Sequence, residues 1–124
     1  MSDAVAAARA VLDVLATGDA AAADHVLAEG AVLWHNDGNG EAPAKDGFAG
    51  AAGLHAMVEG LTVDEISADP TASGAVVRFE LRGTVKASGH RLHVSNCMFA
   101  TCEDGRITRI DEYIDPTFLS QLGL

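Results

Sequence analysis

The hydrophobic rhythm of the chain changes near Leu61. Before it, apolar side chains recur at helical spacing; after it, they alternate. Val5, Ala8, Leu12 and Leu15 fall on one side of a helix expected over Ala4–Ala16, with Val11 widening the stripe and Asp3 available as a cap. Thr17-Gly18-Asp19 stops that helix, and Asp19 opens a second, shorter one that ends at Gly30. Ala31–His35 ("AVLWH") reads as a compact strand. Asn36–Gly47 ("NDGNGEAPAKDG") reads as a polar, glycine-rich loop, and a loop that long in a small domain is more often functional or mobile than idle. Phe48–Gly60 reads as a third helix, burying Leu54, Met57, Val58 and, just beyond it, Leu61.

From there the period is two. Strands are expected over Leu61–Ala68, Ala75–Val85, Arg91–Thr101 and Arg106–Asp115, separated by the turns "DPTASG", "KASGH" and "EDG". Asp115-Pro116 breaks the last ladder, and "TFLSQLGL" reads as a short closing helix. Helices first, then long strands joined by tight turns, is an α+β pattern with an antiparallel sheet. No repeat or linker divides the chain, so all 124 residues read as one domain.

The last strand raises the question of chemistry. Its inward face should be Thr108, Ile110, Glu112 and Ile114, because the other set, Ile107, Arg109, Asp111 and Tyr113, is more polar. Glu112 is then a carboxyl group on an apolar wall, an environment that favours the protonated form and suits acid–base work. A structural role, paired with Arg78, Arg109 or a helix terminus, is the competing reading. His35, at the end of the first strand, is the second candidate because imidazole titrates near neutrality. On "VVRFELR" the apolar set Val77, Phe79 and Leu81 claims the core, which leaves Arg78 and Glu80 outside. On "RLHVSNCMF" either His93, Ser95, Cys97 and Phe99 or Leu92, Val94, Asn96 and Met98 face inward. His55 falls outside the stripe of its helix and is expected in solvent.

Charge and composition narrow the partners. A net charge of −10, with eight scattered basic residues, argues against nucleic acid and against an anionic membrane surface. No apolar run approaches the roughly 18 residues of a membrane span, and the N-terminal stretch lacks a signal-peptide pattern. Cys97 and Cys102, in one expected strand, would stand roughly 16 Å apart on opposite faces and cannot pair with each other. Free thiols point to the cytoplasm. No Cys or His spacing fits a metal site, since His90 and His93 fall on opposite strand faces, and no phosphate or dinucleotide loop occurs. Neither a metal nor a cofactor is expected.

The order α-α-β-α-β-β-β-β, with "LATGDAAAADHVLAEGAVLWHN", "GFAGAAGL" and "EDGRITRIDEYIDPTFLSQL" as local marks, resembles the nuclear transport factor 2-like superfamily across nearly the whole chain. "WHN" and "EYID" are most similar to its SnoaL-like branch, near the ketosteroid isomerases. The resemblance implies three N-terminal helices packed on a strongly bent antiparallel sheet, forming a cone with a mostly apolar pocket. It implies a catalytic acidic residue at Glu112 and places His35 over the isomerases' catalytic-base aspartate, where a histidine departs from the pattern. Epoxide hydrolases of the superfamily hold a water with an Asn near Asn36 and carry Arg-x-Asp where this chain has Arg78-Phe79-Glu80. Cys97 falls where the isomerases keep an oxyanion-hole aspartate, and a thiol is a poor donor there.

The expected function is acid–base chemistry, isomerisation or cyclisation, on a small hydrophobic molecule, with Glu112 and His35 as the pair. Candidate substrate contacts are Asn36, Trp34, His93, Cys97, Phe99, Ile110, Ile114, Arg78 and Glu80. A non-catalytic ligand-binding or accessory protein is the alternative, and an epoxide hydrolase built on Arg78, Glu80 and Glu112 is the third. The resemblance also implies a homodimer joined through the outer sheet face, with Arg109, Asp111 and Tyr113 as contributors to the interface.

Overall fold

A computed structural model of the chain describes residues 3–124. Helix α1 (Asp3–Thr17) turns Val5, Ala8, Val11, Leu12 and Val14 onto the sheet, where all are buried. Asp3 lies inside its first turn, so the cap expected of it is not where it stands. The helix closes as Gly18 takes φ +73° and donates its N–H to Val14 O. Asp19 then caps a 3-10 helix (Ala20–Val26), accepting from the Ala21 N–H at 3.0 Å. This element is shorter than the helix expected to reach Gly30, because Leu27 already begins strand β1 (Leu27–His35). Gly30, at φ +77°, lies within a register shift of that strand.

The stretch expected as a loop contains a three-residue strand, β2 (Glu41–Pro43), paired antiparallel to β1. That stretch also holds most of a short helix, α2 (Ala44–Phe48), and the expected third helix is the shorter α3 (Gly50–Met57). It stops early because Val58 adopts extended backbone and opens β3 (Val58–Pro70). β4 (Gly74–Val85), β5 (Arg91–Glu103), β6 (Arg106–Tyr113) and α4 (Phe118–Leu122) follow close to their expected places.

The six strands form one sheet in the order β2-β1-β6-β5-β4-β3. All neighbours run antiparallel except β1 and β6, which run parallel, a departure from the expected antiparallel sheet. Local pairing rules predict hairpins between consecutive strands; they say nothing of how a first and a last strand meet.

Val77, Phe79 and Leu81 of β4 and Leu92, Val94 and Met98 of β5 are almost fully buried under the helices. Each such side chain contributes roughly 1.5–3 kcal/mol through burial. On β6 the strict alternation fails. Cys102 faces Ile107 but Thr101 faces Arg109, so Thr108 is an extra residue in the ladder. That bulge turns both Ile107 and Ile110 into the core, whereas alternation alone had put Ile107 outside.

Candidate active site

Between the inner sheet face and the helices lies a cavity of about 330 Å³. Its walls are apolar: Val14 and Leu15 from α1, Leu33 from β1, Leu54 and Met57 from α3, Met98 from β5 and Ile110 from β6. Leu119, Leu122 and Leu124 bring the C-terminal segment to the same space. Four polar side chains interrupt this lining: His35, Asp37, Asn96 and Glu112.

Two of the four are brought together by the parallel pairing. His35 and Glu112 are register partners across β1 and β6, so their side chains leave the sheet on the same side. His35 Nε2 stands 2.6 Å from Glu112 Oε1. The side chains are 30% and 13% exposed, which leaves little water to screen the contact. The hydrogen bond to Glu112 raises the His35 pKa above its ordinary value, outweighing burial, and the charges of Glu112 and Asp37 add to the rise. Asp37 is held below the ordinary carboxylate value, chiefly because its side chain accepts the Asn39 backbone N–H. Glu112 therefore shares its apolar wall, between Ile110 and Ile114, with a histidine. Its second oxygen, Oε2, has no hydrogen-bond partner among the described residues.

Several expected contacts lie elsewhere. Asn36 points its amide at the backbone: Oδ1 accepts the Ile114 N–H at 2.9 Å and Nδ2 donates to Ile114 O. It lengthens the β1–β6 ladder and is not part of the cavity wall. Trp34 lies on the outer sheet face, edge-on to Tyr113 with ring centroids 5.3 Å apart.

Burial decides the two ambiguous strands. With Val77, Phe79 and Leu81 inside, Arg78 and Glu80 stand on the outer face, where Glu80 meets His93, Arg82 and Ser95. The His93 hydrogen bond, first among these, lowers the Glu80 pKa. Arg78 and Glu80 thus do not converge with Glu112, and the hydrolase triad does not assemble. On β5 the inward set is Leu92, Val94, Asn96 and Met98, so His93, Cys97 and Phe99 also face away from the cavity. Partial burial raises the Cys97 thiol pKa.

His55 is not in solvent: its Nε2 lies 2.6 Å from Leu15 O, tying α3 to the end of α1. Asn96 and Asp37 are the polar cavity residues that the candidate contacts left out. For Asn96 the signal was present, a polar side chain alternating with Val94 and Met98 on the apolar face, as Glu112 alternates with Ile110 and Ile114.

The SnoaL-like domain family profile matches residues 8–110. The chain belongs to the SnoaL-like domain family. No curated protein matches it. Solved structures share the fold. A Jannaschia sp. CCS1 protein assigned to the SnoaL-like polyketide cyclases aligns with TM-score 0.80 at 16% identity, over 97% of this chain and 90% of that one. A Catenulispora acidiphila protein with a ketosteroid isomerase-like fold, bound to trimethylamine, gives TM-score 0.76 at 17% identity, over 95% and 92%. An LEH-like epoxide hydrolase from M. tuberculosis gives TM-score 0.69 at 20% identity, over 97% and 89%. This SnoaL-like chain is therefore an α+β, nuclear transport factor 2-like fold with a six-stranded open sheet. Among the described residues no helix is long and apolar enough to cross a membrane.

Proposed function

We propose that this SnoaL-like protein catalyses proton transfer, isomerisation or ring closure, on a small hydrophobic molecule with an acidic C–H. The observation that carries the reading is the 2.6 Å contact between His35 Nε2 and Glu112 Oε1 on the wall of an apolar cavity. In this reading Glu112 Oε2 removes a proton from carbon beside a carbonyl: the C–H bond breaks, an O–H bond forms and the substrate becomes an enolate. His35 in its imidazolium form, favoured by its raised pKa, holds the Glu112 carboxylate in place. Return of the proton to another carbon gives an isomer; attack of the enolate carbon on a second carbonyl breaks its C=O π bond and closes a ring, and the alkoxide formed takes the proton back from Glu112. The assignment of the Jannaschia relative to polyketide cyclases accords with the second outcome. Epoxide hydrolysis built on Arg78, Glu80 and Glu112 finds no support in this arrangement, because Arg78 and Glu80 lie across the sheet from Glu112.

Deuterium exchange tests the reading. The protein, incubated in D₂O with 1-tetralone, 2-tetralone and cyclohex-2-enone, should speed loss of the protons beside the carbonyl, followed by NMR, for at least one of the three. Glu112→Gln should slow that exchange about a hundredfold or more. Buffer-level exchange across the panel, or a fully active variant, would rule the proposal out.

The proposed assembly is a homodimer through the outer sheet face. Phe99 and Tyr113, 42% and 48% exposed, form an aromatic cluster there with Trp34, and a second copy could cover it.

A further inference from the structure

Among the described residues, Asn96 is the single buried polar side chain, at 6% exposure. Its environment fixes which way the amide points. The Asp115 backbone N–H donates to Asn96 Oδ1 at 3.0 Å, and only an oxygen can accept there. Nδ2 is therefore the atom left over. It has no hydrogen-bond partner among the described residues, yet no buried side-chain nitrogen or oxygen is left unsatisfied, so Nδ2 is not sealed in protein. Asn96 is one of the residues that line the cavity.

The position relative to the dyad follows from the sheet. Met98 is the register partner of Glu112 across β5 and β6, and Asn96 is the next inward residue along β5. Asn96 and Glu112 are thus diagonal neighbours, about 7–8 Å apart at the backbone. One small molecule can span that separation, touching Glu112 with one atom and Asn96 with another.

We infer that Asn96 is a substrate-orienting hydrogen-bond donor: its Nδ2–H₂ binds a carbonyl or developing enolate oxygen while the His35–Glu112 pair handles the proton. An unpaired donor in an apolar cavity discriminates strongly, because a ligand lacking the acceptor leaves it unsatisfied. The ligand class is accordingly a compact, mostly hydrocarbon molecule with one oxygen acceptor on the β5 side. This assignment rests on the acid–base reading for its chemistry, but not for its test.

The test compares 1-tetralone with tetralin, the same skeleton without the carbonyl. The wild-type protein should bind the ketone more tightly. Asn96→Leu, which keeps the volume and removes the donor, should erase about three- to tenfold of that preference. In ¹⁵N-labelled wild-type protein the Asn96 side-chain amide protons should move downfield with 1-tetralone and stay in place with tetralin. This second readout serves where the variant does not fold. Equal loss of both ligands in Asn96→Leu, or a silent amide, overturns the inference. Exchange that fails while the amide responds removes the catalytic reading and leaves the donor. Fast exchange with a silent amide removes the donor alone, and failure of 1-tetralone to bind the wild-type protein overturns the inference.

Discussion

His35 and Glu112, far apart in the chain, face each other as register partners of two parallel strands with 2.6 Å between Nε2 and Oε1. Neither element could hold this geometry alone. β1 supplies the histidine at its last residue, and β6 supplies the carboxylate one step before its end.

The pair has a direct titration signature. Because the hydrogen bond to Glu112 raises the His35 pKa, the imidazole should titrate above about 6.5 by NMR, and Glu112→Gln should bring its midpoint down. The sign for stability follows. The stabilisation from this pair is complete below the unfolded histidine value of about 6.5 and fades as pH rises through the higher folded value. Unfolding free energy measured across that window should decline in the wild type and decline less in Glu112→Gln. A His35 midpoint that does not respond to the substitution would contradict the contact.

Asn36 ought to matter for positioning. Its two hydrogen bonds to Ile114 extend the β1–β6 ladder immediately beyond the dyad. Asn36→Ala should destabilise the fold by about 1–2 kcal/mol in urea unfolding. It should also lower the His35 titration midpoint, which a purely local loss of stability would leave alone.

Gly74 opens β4 in a place without room for a side chain. A Cβ there would lie 1.8 Å from Ala100 O, a backbone atom of the neighbouring strand. Gly74→Ala should therefore cost about 1–3 kcal/mol or more, read from the denaturation midpoint. A variant of unchanged stability would mean that the two strands do not approach this closely.

For the outer face, Phe99→Asp places a charge beside Tyr113, on the side of the sheet opposite the cavity. Light scattering coupled to gel filtration should show a dimer for the wild type and a monomer for the variant. A monomeric wild-type protein at micromolar concentration would dismiss the proposed assembly.

Most of the architecture was legible because periodicity reports local geometry. The change from helical to alternating spacing marked where the helices end, and the turn residues marked the hairpins from β3 to β6. Glu112 stood out for the same reason, a charge in phase with Ile110 and Ile114. The apolar phase of β4 correctly put Arg78 and Glu80 outside, against what the family resemblance invited.

What the chain's own order could not convey is whatever depends on distant segments meeting. The parallel β1–β6 pairing, which sets His35 beside Glu112 and turns Asn36 to the Ile114 backbone, joins the first and last strands of the chain and leaves no local trace. The bulge at Thr108 depends on how β5 and β6 slide past one another, so alternation misplaced Ile107. Asn96 acquired its free donor only when the Asp115 N–H arrived to occupy its oxygen. Sequence by itself determined which residues are in phase along each element, because side-chain direction follows backbone period. Tertiary structure decided which of those phases face one another, because register between strands is settled by the packing of the whole core.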